Sequence, residues 1–316
     1  MDLKYINSPW NEFSNYLKKK YGGKVYKLPV NLPATCPNRD GTIGKNGCIF
    51  CGGEGAGFEL LSFELSVKEQ LQKNMEYIGR KYKADKFIAY FQNYTNTYFT
   101  YEKFSDYISQ ATIPKIVAIY VSTRPDCIYP AHMEFLKNIS INHNVDVVLE
   151  LGLQSIKNET LKVLNRGHTV EDFFTAVDIV KSYGLDICAH VINDLPYDDI
   201  SDIRKCASSL SDAGVNQVKC HSLYILDDTV LGEMYKEGSF QVLSSDMFIK
   251  RTAEFLSYLD ENIPVQRLIG RAPSERTLFC NWNMSWWKIN DMIQSYMIQN
   301  NLYQGCKYNR ENKRHL

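Results

Sequence analysis

Long apolar runs are missing from this 316-residue sequence. The longest clean one, Ile116-Val117-Ala118-Ile119-Tyr120-Val121, has the length of a strand, whereas a membrane-spanning helix needs about 20 apolar residues. Residues 1–10 lack the charged-then-apolar build of a secretory signal. No internal repeat or low-complexity tract interrupts the chain. These absences predict a soluble cytoplasmic protein with no membrane partner. Hydrophobic residues at 44% and charged residues at 23% allow a sizeable core and exclude wholesale disorder. The length fits two structural units, or one barrel-like domain with a small appendage.

Net charge is absent too, since 36 Lys/Arg balance 36 Asp/Glu. The zero conceals a gradient. Residues 1–30 hold six basic against two acidic residues and residues 264–316 hold eight against three, so the ends carry +4 and +5 and the middle −9. Basic ends fit an RNA-facing rim, or solvated termini that touch nothing.

Cysteine, by contrast, is plentiful. There are nine, an odd number, in a chain expected to sit in a reducing compartment where no disulfide framework forms. Metal binding, catalysis and plain burial are the readings left. Cys36, Cys48 and Cys51 are spaced Cys-x11-Cys-x2-Cys, and seven of the eighteen glycines fall between residues 41 and 57. Thiolates are soft ligands for Zn²⁺, Cu(I) or iron–sulfur clusters. The Cys-x2-Cys pair puts two sulfurs on one tight turn, and the glycines let the backbone bend round a cluster. A closed structural zinc site uses four ligands, so zinc here would need a distant His or Cys. A [4Fe–4S] cluster on three cysteines keeps one iron open.

Short β-branched and aromatic runs alternate with helical patterns along the chain. Strands are expected at 24–30, 86–92, 115–121, 145–151, 186–192 and 216–223. The clearest helix carries Val67, Leu71, Met75, Ile78 and Tyr82 on one face, and Ser66 with Glu69 has capping-box spacing at its start. Further helices are expected at 169–183, 201–213 and 245–259. Six βα units imply a parallel sheet covered by helices, and six are fewer than a closed eightfold barrel requires. The expected fold is therefore α/β, a partial (βα)6 barrel with ligands at the carboxyl ends of its strands. The expected boundaries are an N-terminal extension over residues 1–23, the barrel over 24–260, and a small C-terminal α/β appendage over 261–316.

The run Cys36-Pro37-Asn38-Arg39-Asp40-Gly41-Thr42-Ile43-Gly44, then Gly47-Cys48-Ile49-Phe50-Cys51, resembles the cluster loop of the bacterial YhcC-like radical S-adenosylmethionine (SAM) proteins, relatives of the Elongator catalytic subunit. The resemblance implies a radical SAM partial barrel with a [4Fe–4S] cluster on Cys36, Cys48 and Cys51. It also implies SAM on the open iron, cleaved to a 5′-deoxyadenosyl radical that abstracts hydrogen from the substrate. Phe50 is the implied adenine neighbour. Gln92 and Thr95 end the second strand, where the superfamily binds the SAM amino group. Ser122 and Arg124 follow the third strand, with Ser122 where Elongator-like sequences carry Glu. Gln154 and Arg166 are separated like a Gln and an Arg that contact the ribose and carboxylate of SAM in related enzymes, and Glu150 is grouped with them. An amide suits ribose hydroxyls and a guanidinium forks onto carboxylate. Substitution of Arg166 is accordingly expected to weaken SAM binding and spare the cluster.

The stretch His190-Val191-Ile192-Asn193-Asp194-Leu195-Pro196 resembles the Elongator His-x3-Asp-Leu-Pro pattern. Alternation puts Cys188 with His190 on one face and Lys219 with His221 on another. If they point into the barrel, these four are the candidate catalytic residues. The other reading is a small buried core cysteine and hydrogen-bonded structural histidines.

The implied substrate is a tRNA wobble uridine, with a carboxymethylaminomethyl side chain converted to aminomethyl. The chain's end at Leu316 is expected to leave no room for an acetyltransferase half. A flavodoxin or ferredoxin-type reductant follows from the lack of a second cysteine cluster. Two other readings stand beside it: a radical SAM enzyme for a small metabolite or protein, and a non-catalytic, metal-stabilised RNA-binding protein. In the tRNA reading, two basic sets flank the barrel mouth and grip phosphates. One set is Lys18, Lys19, Lys20 and Lys24. The other is Arg267, Arg271, Arg276, Lys307, Arg310, Lys313 and Arg314. Trp282, Trp286 and Trp287 would be available to stack an extruded base.

Overall fold

The computed structural model describes residues 8–53, 60–273 and 275–309. All six expected strands form: β1 (Val25–Val30), β2 (Lys86–Phe91), β3 (Ile116–Thr123), β4 (Asp146–Gln154), β5 (Asp186–Ile192) and β6 (Gln217–His221). Helix α1 (Phe13–Tyr21) precedes them. Helices α2 (Val67–Tyr82), α3 (Tyr101–Ser109), α4 (Pro130–His143), α5 (Asn158–Val163), α6 (Val170–Ser182) and α7 (Ile200–Ala213) lie in the gaps. Each crossover returns the chain to the same end, so the strands pair in parallel in the order β1-β2-β3-β4-β5-β6. The α2 capping box is present: the Ser66 hydroxyl accepts from the Glu69 N–H at 3.3 Å, and the Glu69 carboxylate takes the Ser66 N–H at 2.8 Å.

Alternation divides each strand between two clusters. Leu28, Ala89, Ile119, Leu149, Ile187 and Val218 join the large core with the helices. Ile88, Tyr90, Ala118, Tyr120, Val148 and Cys188 form a separate inner cluster. Register places Ser122, Glu150 and Cys188 side by side across β3, β4 and β5, and Gly152, His190 and Lys219 side by side across β4, β5 and β6. The sheet then continues past β6 through single bridges, with Val265 pairing both Val218 and Glu12. Gln304 N–H also donates to Pro9 O at 2.9 Å, and the Gln304 amide oxygen takes the Asn11 N–H at 2.8 Å. Residues on both sides of the expected boundaries thus share one sheet edge.

Helix α1 places its lysines far from where phosphate gripping at the barrel mouth needs them. Gly22, in the left-handed region at φ +72°, turns the chain from α1 almost directly into β1. The helix therefore lies at the end where the strands begin. Leu17 is buried in the inner cluster, with Phe13, Tyr16 and Tyr21 packed against it. Lys20 Nζ sits 2.9 Å from Asp146, the first residue of β4. The cysteine loop follows β1 and occupies the opposite end.

Beyond β6, β7 (Tyr224–Leu226) pairs antiparallel with β8 (Thr277–Cys280), and α8 (Val230–Lys236), α9 (Ser245–Tyr258) and α10 (Trp286–Gln299) complete the described chain. Trp282 is a packing residue, tilted against Phe248 and edge-on to Phe279, with its indole N–H donating to Leu243 O at 2.7 Å. Trp286 and Trp287 are exposed. The expected C-terminal grip divides, with Arg271 beside Trp286 and lining the active-site cavity. Arg276 pairs with Asp228 at 3.0 Å, Lys307 pairs with Glu254 at 2.8 Å, and Arg267 turns inward. Arg310, Lys313 and Arg314 lie outside the described residues.

Candidate active site

The cysteine loop is fixed from both flanks. Asn38 Nδ2 donates to Asn165 O at 2.6 Å, and Asn165 Nδ2 donates back to Gly47 O at 2.7 Å, docking the loop on the turn after α5. The Arg39 guanidinium donates to the carbonyls of Cys51 and Gly52. Gly47 has φ +67°, and a side chain there would stand 2.9 Å from Arg39 Nε, so the tight turn requires glycine. Cys36, Cys48 and Cys51 then line one cavity at the carboxyl end of the sheet.

Positive and hydrogen-bonding groups surround these sulfurs. Arg166 Nη1 donates to Cys48 Sγ at 3.2 Å, with Asn38 Nδ2 at 3.8 Å. The other Arg166 nitrogens hold Gly152 O at 3.0 Å and His168 Nε2. Burial and the Arg166 charge push His168 down to about 3, so it stays a neutral acceptor. Arg124 forks onto Asp126 at 2.8 and 2.7 Å, while its Nη1 is buried with no partner among the described residues. Burial pushes the Cys51 thiol up to about 11, with Cys48 beside it adding to the rise. Such a thiol ionises readily only against a cation. Three sulfurs in one loop, donors aimed at them and an unspent guanidinium N–H fit an anionic metal–sulfur cluster with a further ligand.

The same cavity collects the remaining candidates. Phe50, Gln92, Thr95, Ser122, Arg124, Glu150, Gln154, Arg166, His190, Lys219 and His221 all line it. The loop after β2 is pinned by Asn96, whose Nδ2 reaches the carbonyls of Phe91, Asn93 and Ser122 at 3.1, 2.9 and 3.0 Å. Gln154 has φ +71° at a register shift in β4, a strained position for a non-glycine residue that re-aims its amide. Gly152 leaves room for that turn, since a Cβ there would lie 2.8 Å from Gln154 Nε2 and 2.9 Å from Arg166 Nη2. Cys188 is the exception. It does not line the cavity but is fully buried in the inner cluster, with its sulfur within 4.8 Å of Glu150 and His190, and it takes a hydrogen bond from Gln266 Nε2 at 3.2 Å.

Beneath the mouth, four strands converge on Glu150. Its carboxylate receives Lys27 Nζ at 2.5 Å, His190 Nε2 at 2.8 Å, Lys219 Nζ at 3.1 Å and Ser122 Oγ at 3.3 Å. Burial opposes ionisation of Glu150, but Lys219, Lys27 and His190 outweigh it and hold the carboxyl well below its usual range. Burial lowers Lys219 to about 7, with Lys27 and Arg267 adding to the effect, and lowers His190 to about 4. Lys27 lies 4.3 Å from the ring centroids of both Tyr90 and Tyr120, a desolvated cation–π arrangement.

Lys27, Tyr90 and Gln266 were not legible as site residues, and Arg267 was expected on the rim and not inside the cavity. The available signal was Lys27 itself, a charge at an inner position of β1 between the buried Leu28 and the partly buried Val25 and Tyr26. Asp194, of the His-x3-Asp-Leu-Pro run, serves the fold: its carboxylate takes the Leu223 N–H at 2.9 and 3.0 Å and pins the turn after β6.

Comparison with known families settles the class. The Radical SAM superfamily matches residues 36–210, more than half of the chain, and the Radical_SAM C-terminal domain matches residues 215–299. The chain belongs to the radical SAM superfamily. YhcC of Escherichia coli (strain K12) is 29% identical over 278 residues, 88% of each chain. The tRNA uridine(34) acetyltransferase of Methanocaldococcus infernus is 30% identical over 160 residues, 50% of this chain and 28% of that protein. The fold resembles that of the archaeal Methanocaldococcus infernus Elp3, with a TM-score of 0.66 at 20% identity, covering 89% of this chain and 64% of that one. This chain thus spans less than two thirds of that Elp3 chain.

The YhcC-like resemblance therefore stands, and the protein is a radical SAM enzyme whose cofactors are a [4Fe–4S] cluster and SAM. The non-catalytic RNA-binding reading falls with that membership. When bound, the pair supplies a 5′-deoxyadenosyl radical for hydrogen abstraction. The chain's own residues do the rest. Cys36, Cys48 and Cys51 would hold the cluster, Arg166 donates to a ligand sulfur, and Arg124 offers a buried donor to an anionic group. Because Arg166 donates to Cys48 Sγ as well as lining the cavity, its substitution would reach the cluster loop besides any contact to SAM.

Proposed function

We propose that the enzyme acts on the wobble uridine of tRNA, converting a carboxymethylaminomethyl side chain to aminomethyl with electrons from a flavodoxin or ferredoxin-type protein. The observation that carries this reading is a side passage into the barrel. It is lined by the exposed Lys18 and Lys24 together with Lys27, Tyr90, Gln92, Lys219 and Arg267, and the last four of these also line the active-site cavity. A basic entrance leading to a buried site suits a polyanion that remains outside while one base is extruded inward. Likeness to a tRNA uridine(34) acetyltransferase over half of the chain supports the same substrate class. Lys18, Lys24 and Lys27 thus have a place in the reading, at a side opening rather than at the mouth.

Mass spectrometry of tRNA nucleosides from a deletion strain tests the proposal. Carboxymethylaminomethyluridine should accumulate and its aminomethyl descendants should disappear. An unaltered nucleoside profile would exclude the reading and leave a small metabolite or a protein as substrate.

A further inference from the structure

Arg267 brings a guanidinium into the barrel and makes no hydrogen bond or ion pair to a carboxylate there among the described residues. Its Nη2 contacts His221 Nδ1 at 2.6 Å. Burial and the Arg267 charge hold His221 well below its ordinary value, so the ring is a neutral acceptor that orients the guanidinium without cancelling its charge. Arg267 Nε is buried and has no hydrogen-bond partner among the described residues. Of the other deep guanidiniums, Arg124 has a carboxylate partner in Asp126, though its Nη1 is also unused, and Arg166 is taken by Cys48, His168 and Gly152. Lys219, beside Arg267 in the cavity wall, already shares Glu150 with Lys27.

A desolvated guanidinium with an unused donor, which feels Glu150 only through space while Glu150 is already held by Lys27 and Lys219, is costly to maintain. A carboxylate would satisfy it, because its two oxygens match the planar fork. Position favours a substrate carboxylate over that of SAM. Arg267 lines the active-site cavity, the side passage by Lys18 and Lys24, and a groove between Trp10 and Trp286. Arg124 and Arg166 line the active-site cavity and neither of the other two.

We propose that Arg267, oriented by His221 and seconded by Lys219, is the anchor of a carboxylate-binding subsite that holds the acidic tail of the substrate. The proposal rests on the wobble-uridine reading for the identity of the tail, which there is an N-linked carboxymethyl group.

N-Methylglycine reproduces that tail, and N-methylglycinamide is its twin without the carboxylate. Calorimetric titration of both into the cluster-loaded enzyme should show the acid bound at least tenfold more tightly than the amide. Arg267→Met should weaken the acid by roughly 10- to 100-fold, the range for a charge-assisted hydrogen bond, while Arg267→Lys keeps part of the affinity. Equal binding of acid and amide to the wild type overturns the subsite without reliance on any variant. If Arg267→Met loses SAM affinity instead of N-methylglycine affinity, the guanidinium serves the cofactor and the proposal fails. A wild type that binds N-methylglycine through Arg267 yet converts no carboxymethylaminomethyluridine in tRNA keeps the subsite and loses the wobble-uridine reading.

Discussion

Arg166 Nη1 lies 3.2 Å from Cys48 Sγ, so the side chain that follows α5 by three residues donates directly to a predicted iron ligand. Hydrogen bonds to cluster sulfurs stabilise the more reduced state. Arg166→Met should therefore lower the cluster's reduction potential, by on the order of 60 mV for a tenfold shift in a one-electron equilibrium. Redox titration followed by electron paramagnetic resonance measures it. A potential identical to that of the wild type would show that the contact carries no electronic weight.

Each of Cys36→Ala, Cys48→Ala and Cys51→Ala should lose the cluster and form no 5′-deoxyadenosine. Iron and sulfide analysis after anaerobic reconstitution, with about four irons per wild-type chain, supplies the check. Full iron retention in any single variant removes that cysteine from the ligand set.

Glu150 holds two lysines and a histidine in a barrel interior where its own side chain has no exposure. Glu150→Leu strands the two lysines and leaves His190 without its acceptor, and should cost about 3–5 kcal/mol of stability. Adding Lys219→Met should recover part of the loss, because one stranded charge goes with it. Denaturant unfolding of the two single variants and the double variant decides this. Purely additive losses would mean that the groups are not coupled.

Lys219 is lowered to about 7 in the folded chain, chiefly by burial, against about 10.4 for an unperturbed lysine. Between those values the unfolded chain keeps a proton that the folded chain has released, so this group makes stability rise with pH across that window. Lys219→Met should remove the rise, so that the wild-type-minus-variant stability difference climbs between about pH 7 and 10. Denaturation midpoints measured across the range test the sign, and an unaltered slope would refute it.

Lys18 and Lys24 are exposed beside the side passage. Reversing both charges should weaken tRNA binding and flatten its dependence on salt, by roughly 0.7–0.9 in logarithmic slope for each phosphate no longer neutralised. Filter binding at several salt concentrations reads both effects. Unchanged affinity would place the tRNA elsewhere on the surface.

Local periodicity by itself determined much of this protein. A two-residue alternation put Cys188 with His190 and Lys219 with His221, a capping box started α2, and a glycine-rich loop with three cysteines announced soft-metal chemistry. Each of these features depends on residues a few positions apart, where backbone geometry leaves little choice. Tertiary structure decided the partners. Glu150 meets Lys219 across 69 residues and Lys27 across 123. Those meetings depend on strand register and on the curvature that brings β1 round toward β6. Tertiary packing likewise buried Cys188 in the inner cluster, turned Arg267 inward and set α1 at the end where the strands begin. Composition and spacing are blind to such placements, because a charge on a strand or helix reads alike in sequence whether it faces water or a buried carboxylate.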